Sequence, residues 1–495
     1  MGGQGDSPPP GAGDRGTTQG GPVTTDLLQK LPDLPAGPTA GDGLPSVRPT
    51  SVEQVAKLVG WAREERVPLW PRSSQAPRRH GLAGGSGLAV DMSTMTAVPM
   101  VDRRNRVALF EAGVTFAQLA DALRPEGLRP VMPLCPRGAK SVLATYLERE
   151  ATTLPAFQWD LSDPLLCLEV VYGTGDVFRT GSAAGPGTLE EQWSSGDMQK
   201  GPMGPGHADW MRIIQGGQGS IALATWCSAK AEVLPLIETV HVVASDTLTP
   251  LVECAYRLLR RNAVDICFIV DANAFVDLTT VTAAERAEAT RRARPWSLVV
   301  SVSGGTELPR RRHEHYTAVL LREAREAGAR LVDPPAGSPE SLLELLRKPS
   351  AEPYWKERRS GASREVFFQT TLDAVGDFVH SFREHAARAG IGPEQIGAYV
   401  QPQLGGRVTH VELLVACEPG GEQEADTEAF AAAVAAPLVA EGAFFSRPYG
   451  EWCRPALASA GSRDVLERAK SIFDPDRILA PGRLGLKGNP DGYNL

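Results

Sequence analysis

Seven cysteines stand at positions 135, 167, 227, 254, 267, 417 and 453, and no two of them form a CxxC pair. That spacing fits neither a zinc site nor a disulfide framework, and a reducing, cytoplasmic compartment is the simplest reading. No apolar run reaches the roughly 18 residues that a membrane span needs, and the N-terminus lacks the basic-then-apolar order of a secretory signal. Positive charge is also short. The 51 Lys and Arg against 59 Asp and Glu leave a net charge of −8, which argues against nucleic acid as a partner because phosphate neutralisation needs a basic surface. A serine or cysteine nucleophile motif, a Walker loop and a GxGxxG turn after a strand are all missing, as is any internal repeat. His313 and His315 form an H-x-H on a predicted helix, where residues two apart do not share a face, so they read as an exposed basic stretch and no metal site is expected.

The chain has 495 residues, 42% of them hydrophobic, enough for two or three domains with a substantial core. Residues 1–45 are rich in Gly, Pro, Ser and Thr and are expected to form a disordered tail. Thr50 with Glu53 reads as a capping box opening a helix on Val52, Val55, Leu58, Val59 and Ala62. Strand signals follow at Val67–Trp70, Leu88–Asp91 and Arg106–Glu111, with a helix capped by Thr115 and Gln118. Cys167–Tyr172 turns through glycines into Val177–Arg179, a hairpin signature. Residues 236–445 give strands near 266–270, 298–302, 365–370, 397–401 and 408–415. Helices are expected near 312–327, 372–389 and 424–436, the last stopped by Pro437. That order suggests an antiparallel sheet covered by helices on one face. The expected division is 46–235, a cap at 236–445, and a C-terminal segment at 446–495 returning to the first domain.

Four segments carry a family resemblance: Pro49–Trp70 (PTSVEQVAKLVGWAREERVPLW), Asp91–Gly113 continued to Leu123, Leu168–Gly181 (LEVVYGTGDVFRTG) and Phe473–Leu484 (FDPDRILAPGRL). In this order the chain resembles the FAD-linked oxidoreductases of the vanillyl-alcohol oxidase and p-cresol methylhydroxylase type. The resemblance implies an α+β fold class: a PCMH-type FAD-binding domain of two α+β subdomains, plus an α+β cap with an antiparallel sheet. It also implies FAD, its pyrophosphate held by backbone amides of a Gly-rich turn that act as an anion nest. The matching turn here, RSSQAPRRHG at Arg72–Gly81, is poor in glycine. Ser73, Ser74 and Gln75 bring side-chain donors, Arg78 and Arg79 suit phosphate, and His80 and Gly81 close the turn. Non-covalent FAD is the simpler reading, with covalent attachment at His80 left open. Arg137, Gly138 and Ser141 are further contact candidates, and so are Gly216, Gly217, Gly219 and Thr225 in QGGQGSIALAT.

For the chemistry, the resemblance points to Asp160, with Asp163 close by, as an acidic residue beside the flavin. His410 and Glu412 alternate onto one face of a strand and make a substrate floor. Arg447 and Tyr449, in FFSRPYGEW, stand where relatives bind a phenolate or carboxylate. The implied activity is hydride transfer from a small alcohol, phenolic or hydroxy-acid substrate to flavin, then to oxygen or an electron-acceptor protein, in a chain that can form a homo-oligomer. A glycolate- or lactate-type dehydrogenase and a flavin-less partner-binding subunit are the alternatives.

Overall fold

The computed structural model describes residues 31, 34–37, 43–74, 86–158, 163–184, 188, 191–192, 194 and 210–488. The first sheet contains β1 (Ala36–Gly37), β2 (Ser46–Val47), β3 (Leu69–Arg72) and β4 (Leu88–Asp91) in the order β1-β2-β4-β3. β4 pairs in parallel with both β2 and β3, so the helix Val52–Glu64 is the crossover between β2 and β3. Ordered structure therefore starts before residue 45: Ala36–Gly37 pair antiparallel with Ser46–Val47, and Leu31 and Leu34 pack on the first core. The helix is capped one residue later than the sequence suggests. The Ser51 side chain accepts from the Gln54 amide at 3.3 Å, and the Gln54 side chain accepts from the Thr50 amide at 2.8 Å.

The second sheet holds β5 (Met100–Asp102), β6 (Val107–Glu111), β7 (Leu128–Pro130), β8 (Leu165–Tyr172), β9 (Val177–Arg179) and β10 (Ala222–Val233). Its order is β5-β6-β10-β8-β9, with β7 on the far end of β10. The helix Phe116–Leu123 that links β6 to β7 has its capping box on Thr115 and Gln118. Both sheets and the helix Val52–Glu64 share one core, to which Val55, Leu58, Leu88, Phe110, Phe116, Val170 and Leu223 belong.

Sheet membership changes between Val233 and Glu238. The third sheet is antiparallel and seven-stranded: β11 (Glu238–Ser245), β12 (Cys267–Asp271), β13 (Trp296–Ser303), β14 (Arg330–Val332), β15 (Ala362–Thr370), β16 (Ile396–Gln403) and β17 (Val408–Cys417), in the order β14-β11-β13-β12-β16-β17-β15. Strand alternation sorts its faces. Val411, Leu413 and Val415 join a core with helices Thr249–Arg260, Pro309–Glu326, Val375–Arg388 and Glu422–Ala433. Phe268, Tyr399 and Leu414 point the other way and pack on Val131, Leu134, Cys135, Leu154 and Phe157 of the first domain. Pro437 does not end the last helix. It lies within a second short one, Ala435–Ala440, where the first turn tolerates a missing N–H.

The closing segment ties the first domain shut. Leu69 of β3 donates to the Ile478 carbonyl at 2.8 Å and accepts from the Ala480 amide at 2.9 Å. Lys470, at the end of helix Ala460–Phe473, is buried and ion-paired with Asp474. Its ammonium also donates to the carbonyls of Ser220 and Leu479, both at 2.7 Å. Asp474 in turn accepts from the amides of Ile478 and Leu479. Gly173 is pressed so closely on Asp474 that an added Cβ would lie 2.4 Å from its carboxylate. Removing one partner of such a buried pair strands the other charge. Lys470→Ala is expected to lose about 3–5 kcal/mol of stability in urea denaturation; an unchanged midpoint would contradict the tie.

Candidate functional site

A cleft of about 780 Å³ runs between the first domain and the cap. One wall comes from β3 and the following loop (Trp70, Arg72, Ser73, Ser74), another from the turn before β10 (Gly216, Gln218, Gly219, Ala222). Pro136–Glu150, the cap residues Tyr354 and Glu357, and the returning residues Arg447, Tyr449 and Arg483 complete it. Beside it lies a pocket of about 20 Å³ lined by Lys356, Tyr399, His410 and Glu412 of the cap and by Pro133 and Leu134 of the first domain. Glu150, Tyr354 and Arg447 line both cavities, so these residues mark the junction.

The glycine turn is built for close approach. Gly216 and Gly219 have φ of +72° and +76°, and a Cβ on Gly219 would lie 2.2 Å from Pro71. Beneath Gly216, the half-buried Arg149 guanidinium donates to the Gln215 carbonyl at 3.0 Å. Of the expected contacts, Ser73, Ser74, Arg137, Gly216 and Gly219 line the cleft. Gln75, Arg78, Arg79, His80, Gly81 and Asp160 lie outside the described residues.

Several expected contacts have structural duties instead. Ser141 is fully buried, donates to the Ala112 carbonyl at 2.5 Å, and caps Val142–Leu147. Its amide donates to Ser74 at 2.7 Å, so it braces the cleft loop from behind. Thr225 donates to Glu169 at 2.9 Å inside the sheet. Gly217 faces the preceding turn, where a Cβ would meet the Ile214 carbonyl at 2.9 Å, and a Cβ on Gly138 would meet nothing within 4 Å. Arg137 reaches the cleft, but its guanidinium is held by Glu357 and lies 4.1 Å from the Tyr354 ring centroid. Asp163 is ion-paired with Lys230 and lines neither cavity. His313 is not simply exposed: it shares the Thr239 hydroxyl with His241, at 2.8 and 3.0 Å.

The cap face is a chain of charges. Lys356 pairs with Glu412 and, at 2.9 Å, with Glu365. Glu412 is 3.3 Å from His410 Nε2. Burial pushes the His410 imidazole below its ordinary value and Arg447 adds to this, while the Glu412 contact opposes. Burial and the Glu412 charge hold the Tyr399 hydroxyl well above its usual value, so it stays protonated and donates to Gln401 at 2.8 Å. Arg447 is 3% exposed, its guanidinium lies 4.2 Å from the Phe367 ring centroid, and its buried Nη1 has no hydrogen-bond partner among the described residues. Tyr449 packs edge-on against the same ring at 6.0 Å. Lys356, Glu150 and Gln218 were not foreseen. Glu412 and His410 were legible from strand alternation, but the Lys356 contact joins residues 56 apart, and no local pattern signals it.

This geometry suits FAD: an elongated cleft, a turn where only glycine fits against Pro71, and a buried guanidinium with no ion-pair partner among the described residues. Gly219→Ala is expected to lower stability by about 1–3 kcal/mol and to weaken flavin retention, whereas Gly138→Ala stays within about 0.5 kcal/mol of the wild type. Equal effects in thermal melts would contradict the close-approach role of Gly219.

Comparison with known proteins agrees. Residues 45–181 match the FAD binding domain family. The mitochondrial D-lactate dehydrogenase [cytochrome] of Arabidopsis thaliana is 26% identical over 197 residues, 40% of this chain. The chain spans only 31% of that relative's length. In fold, 4-ethylphenol oxidase from Gulosibacter chungangensis superposes with a TM-score of 0.74 at 17% identity, and p-cresol methylhydroxylase with 0.73 at 19%. Each covers 90% of this chain and 89% of the other. Residues 45–181 thus resemble an FAD binding domain, and the chain as a whole shares its fold with p-cresol methylhydroxylase.

Proposed function

We propose that the chain is an FAD-dependent oxidoreductase acting on a small alcohol, phenolic or hydroxy-acid substrate that carries an oxyanion. The observation that carries this reading is Arg447. A guanidinium buried at the junction of the two cavities, its Nη1 unpartnered among the described residues, calls for an anion, and its planar fork suits a carboxylate or phenolate. The aromatic surfaces of Tyr354, Trp355 and Tyr399 beside it exclude water and strengthen that attraction.

Bound FAD supplies the two-electron acceptor for a hydride. The chain's own residues bind and orient the substrate and take its proton. Lys356 is ion-paired with Glu412, and the Glu412 carboxylate takes the Nε2–H of a neutral His410. The other ring nitrogen is then the acceptor for the substrate hydroxyl proton as the C–H bond breaks. Arg447 fixes the oxyanion end, and Tyr449 packs beside it. The electrons leave to oxygen or to an electron-acceptor protein.

Protein loaded with FAD and desalted is expected to stay yellow, and anaerobic addition of the right anionic substrate to bleach it. Arg447→Met should lower kcat/KM by about 10²–10³-fold, the loss of a charge-assisted contact worth about 3–4 kcal/mol. A preparation that stays colourless after adding FAD points instead to a flavin-less binding subunit and rejects the enzyme reading.

A further inference from the structure

Gln218 lies between Gly217 and Gly219 with φ +53°, a backbone region that glycine adopts freely and glutamine does not. Its Nε2 donates to the Pro448 carbonyl at 2.5 Å. A carbonyl accepts only from the nitrogen end, so this bond fixes which way the amide faces. The Oε1 atom at the other end is buried and has no hydrogen-bond partner among the described residues, and Gln218 lines the large cleft. A buried acceptor without a donor costs free energy until a ligand supplies one.

The ligand's chemistry at this point follows. A pyrophosphate offers only acceptors and would repel Oε1. The atom needs an N–H or O–H, and it needs it next to Pro448, one residue from Arg447 and hence at the end of the cleft that meets the His410 pocket. The redox ring must reach that pocket for substrate to meet it, and the ring's donor is the imide N3–H of its pyrimidine edge. We infer that Gln218 is a flavin-binding residue whose Oε1 accepts a hydrogen bond from the flavin N3–H. Its side chain also joins the glycine turn to the returning C-terminal segment, so the imide contact and the Pro448 contact together set the ring between the first domain and the cap. The inference rests on FAD occupying this cleft and not on the identity of the substrate.

The test is a ligand–protein cycle read by quenching of flavin fluorescence as apo-protein is titrated with FAD or with 3-methyl-FAD, which lacks the N3 donor. Wild type is expected to bind 3-methyl-FAD at least about tenfold more weakly than FAD. Gln218→Met is expected to bind FAD about tenfold more weakly than wild type and to make no distinction between the two flavins. Gln218→Gly, whose backbone suits φ +53°, should behave in the same way and covers a failure of the Met variant to fold. Equal wild-type affinities, or discrimination retained in either variant, would overturn the inference while leaving FAD binding intact. If wild type binds neither flavin, the FAD reading of the cleft falls together with it.

Discussion

An uncompensated guanidinium in the interior is the constraint around which the site is organised. Arg447 is nearly inaccessible to water, rests against the face of Phe367, and has a buried Nη1 with no partner among the described residues. Isolating a charge in this way costs several kcal/mol, only part of which a cation–π contact of about 2 kcal/mol offsets. Several other cations that frame the site or the fold have counter-charges: Lys356 has Glu412 and Glu365, Lys470 has Asp474, and the half-buried Arg137 has Glu357, while the half-buried Arg149 is held by backbone carbonyls. Such an imbalance at the meeting of two cavities is what a binding site for an anion requires.

The fold holds Arg447 there by two independent means. From below, the Lys470–Asp474 pair fastens the closing segment to β3, the β8 hairpin and the turn before β10. From above, the antiparallel cap sheet turns its helix-covered face away and presents Tyr399, His410 and Glu412 to the first domain. Gln218 then links the glycine turn to Pro448, the residue after Arg447. Positioning of Arg447 and shaping of the cleft are therefore one structural problem, solved where the chain re-enters the first domain.

Much of this was legible in the sequence because it is local. The Thr115–Gln118 box, the β8–β9 hairpin, and the two-residue alternation that puts His410 and Glu412 on one face depend on neighbours within a few positions. The loops were harder to read. A serine or glycine in a family-like run does not reveal whether its backbone faces the ligand or the core. Ser141 braces the cleft loop from behind and Thr225 bonds within the sheet, while Gly219 approaches Pro71. Arg137 looked available to the cofactor because its partner, Glu357, is 220 residues away. Lys356 was invisible for the same reason, in a short 3₁₀ turn without periodicity.

Arg447 is held without a counter-charge among the described residues, and a bound anionic ligand would supply one. The most direct measurement is the thermal melt of FAD-loaded wild type and Arg447→Met, each with and without a small non-oxidisable carboxylate such as oxalate. The prediction is that Arg447→Met melts no lower than wild type in the absence of anion, since an apolar side chain relieves the buried charge. Oxalate should then raise the melting temperature of wild type alone. A variant that melts clearly lower without anion, or that responds to oxalate as wild type does, would show that Arg447 is a structural residue and contradict the account.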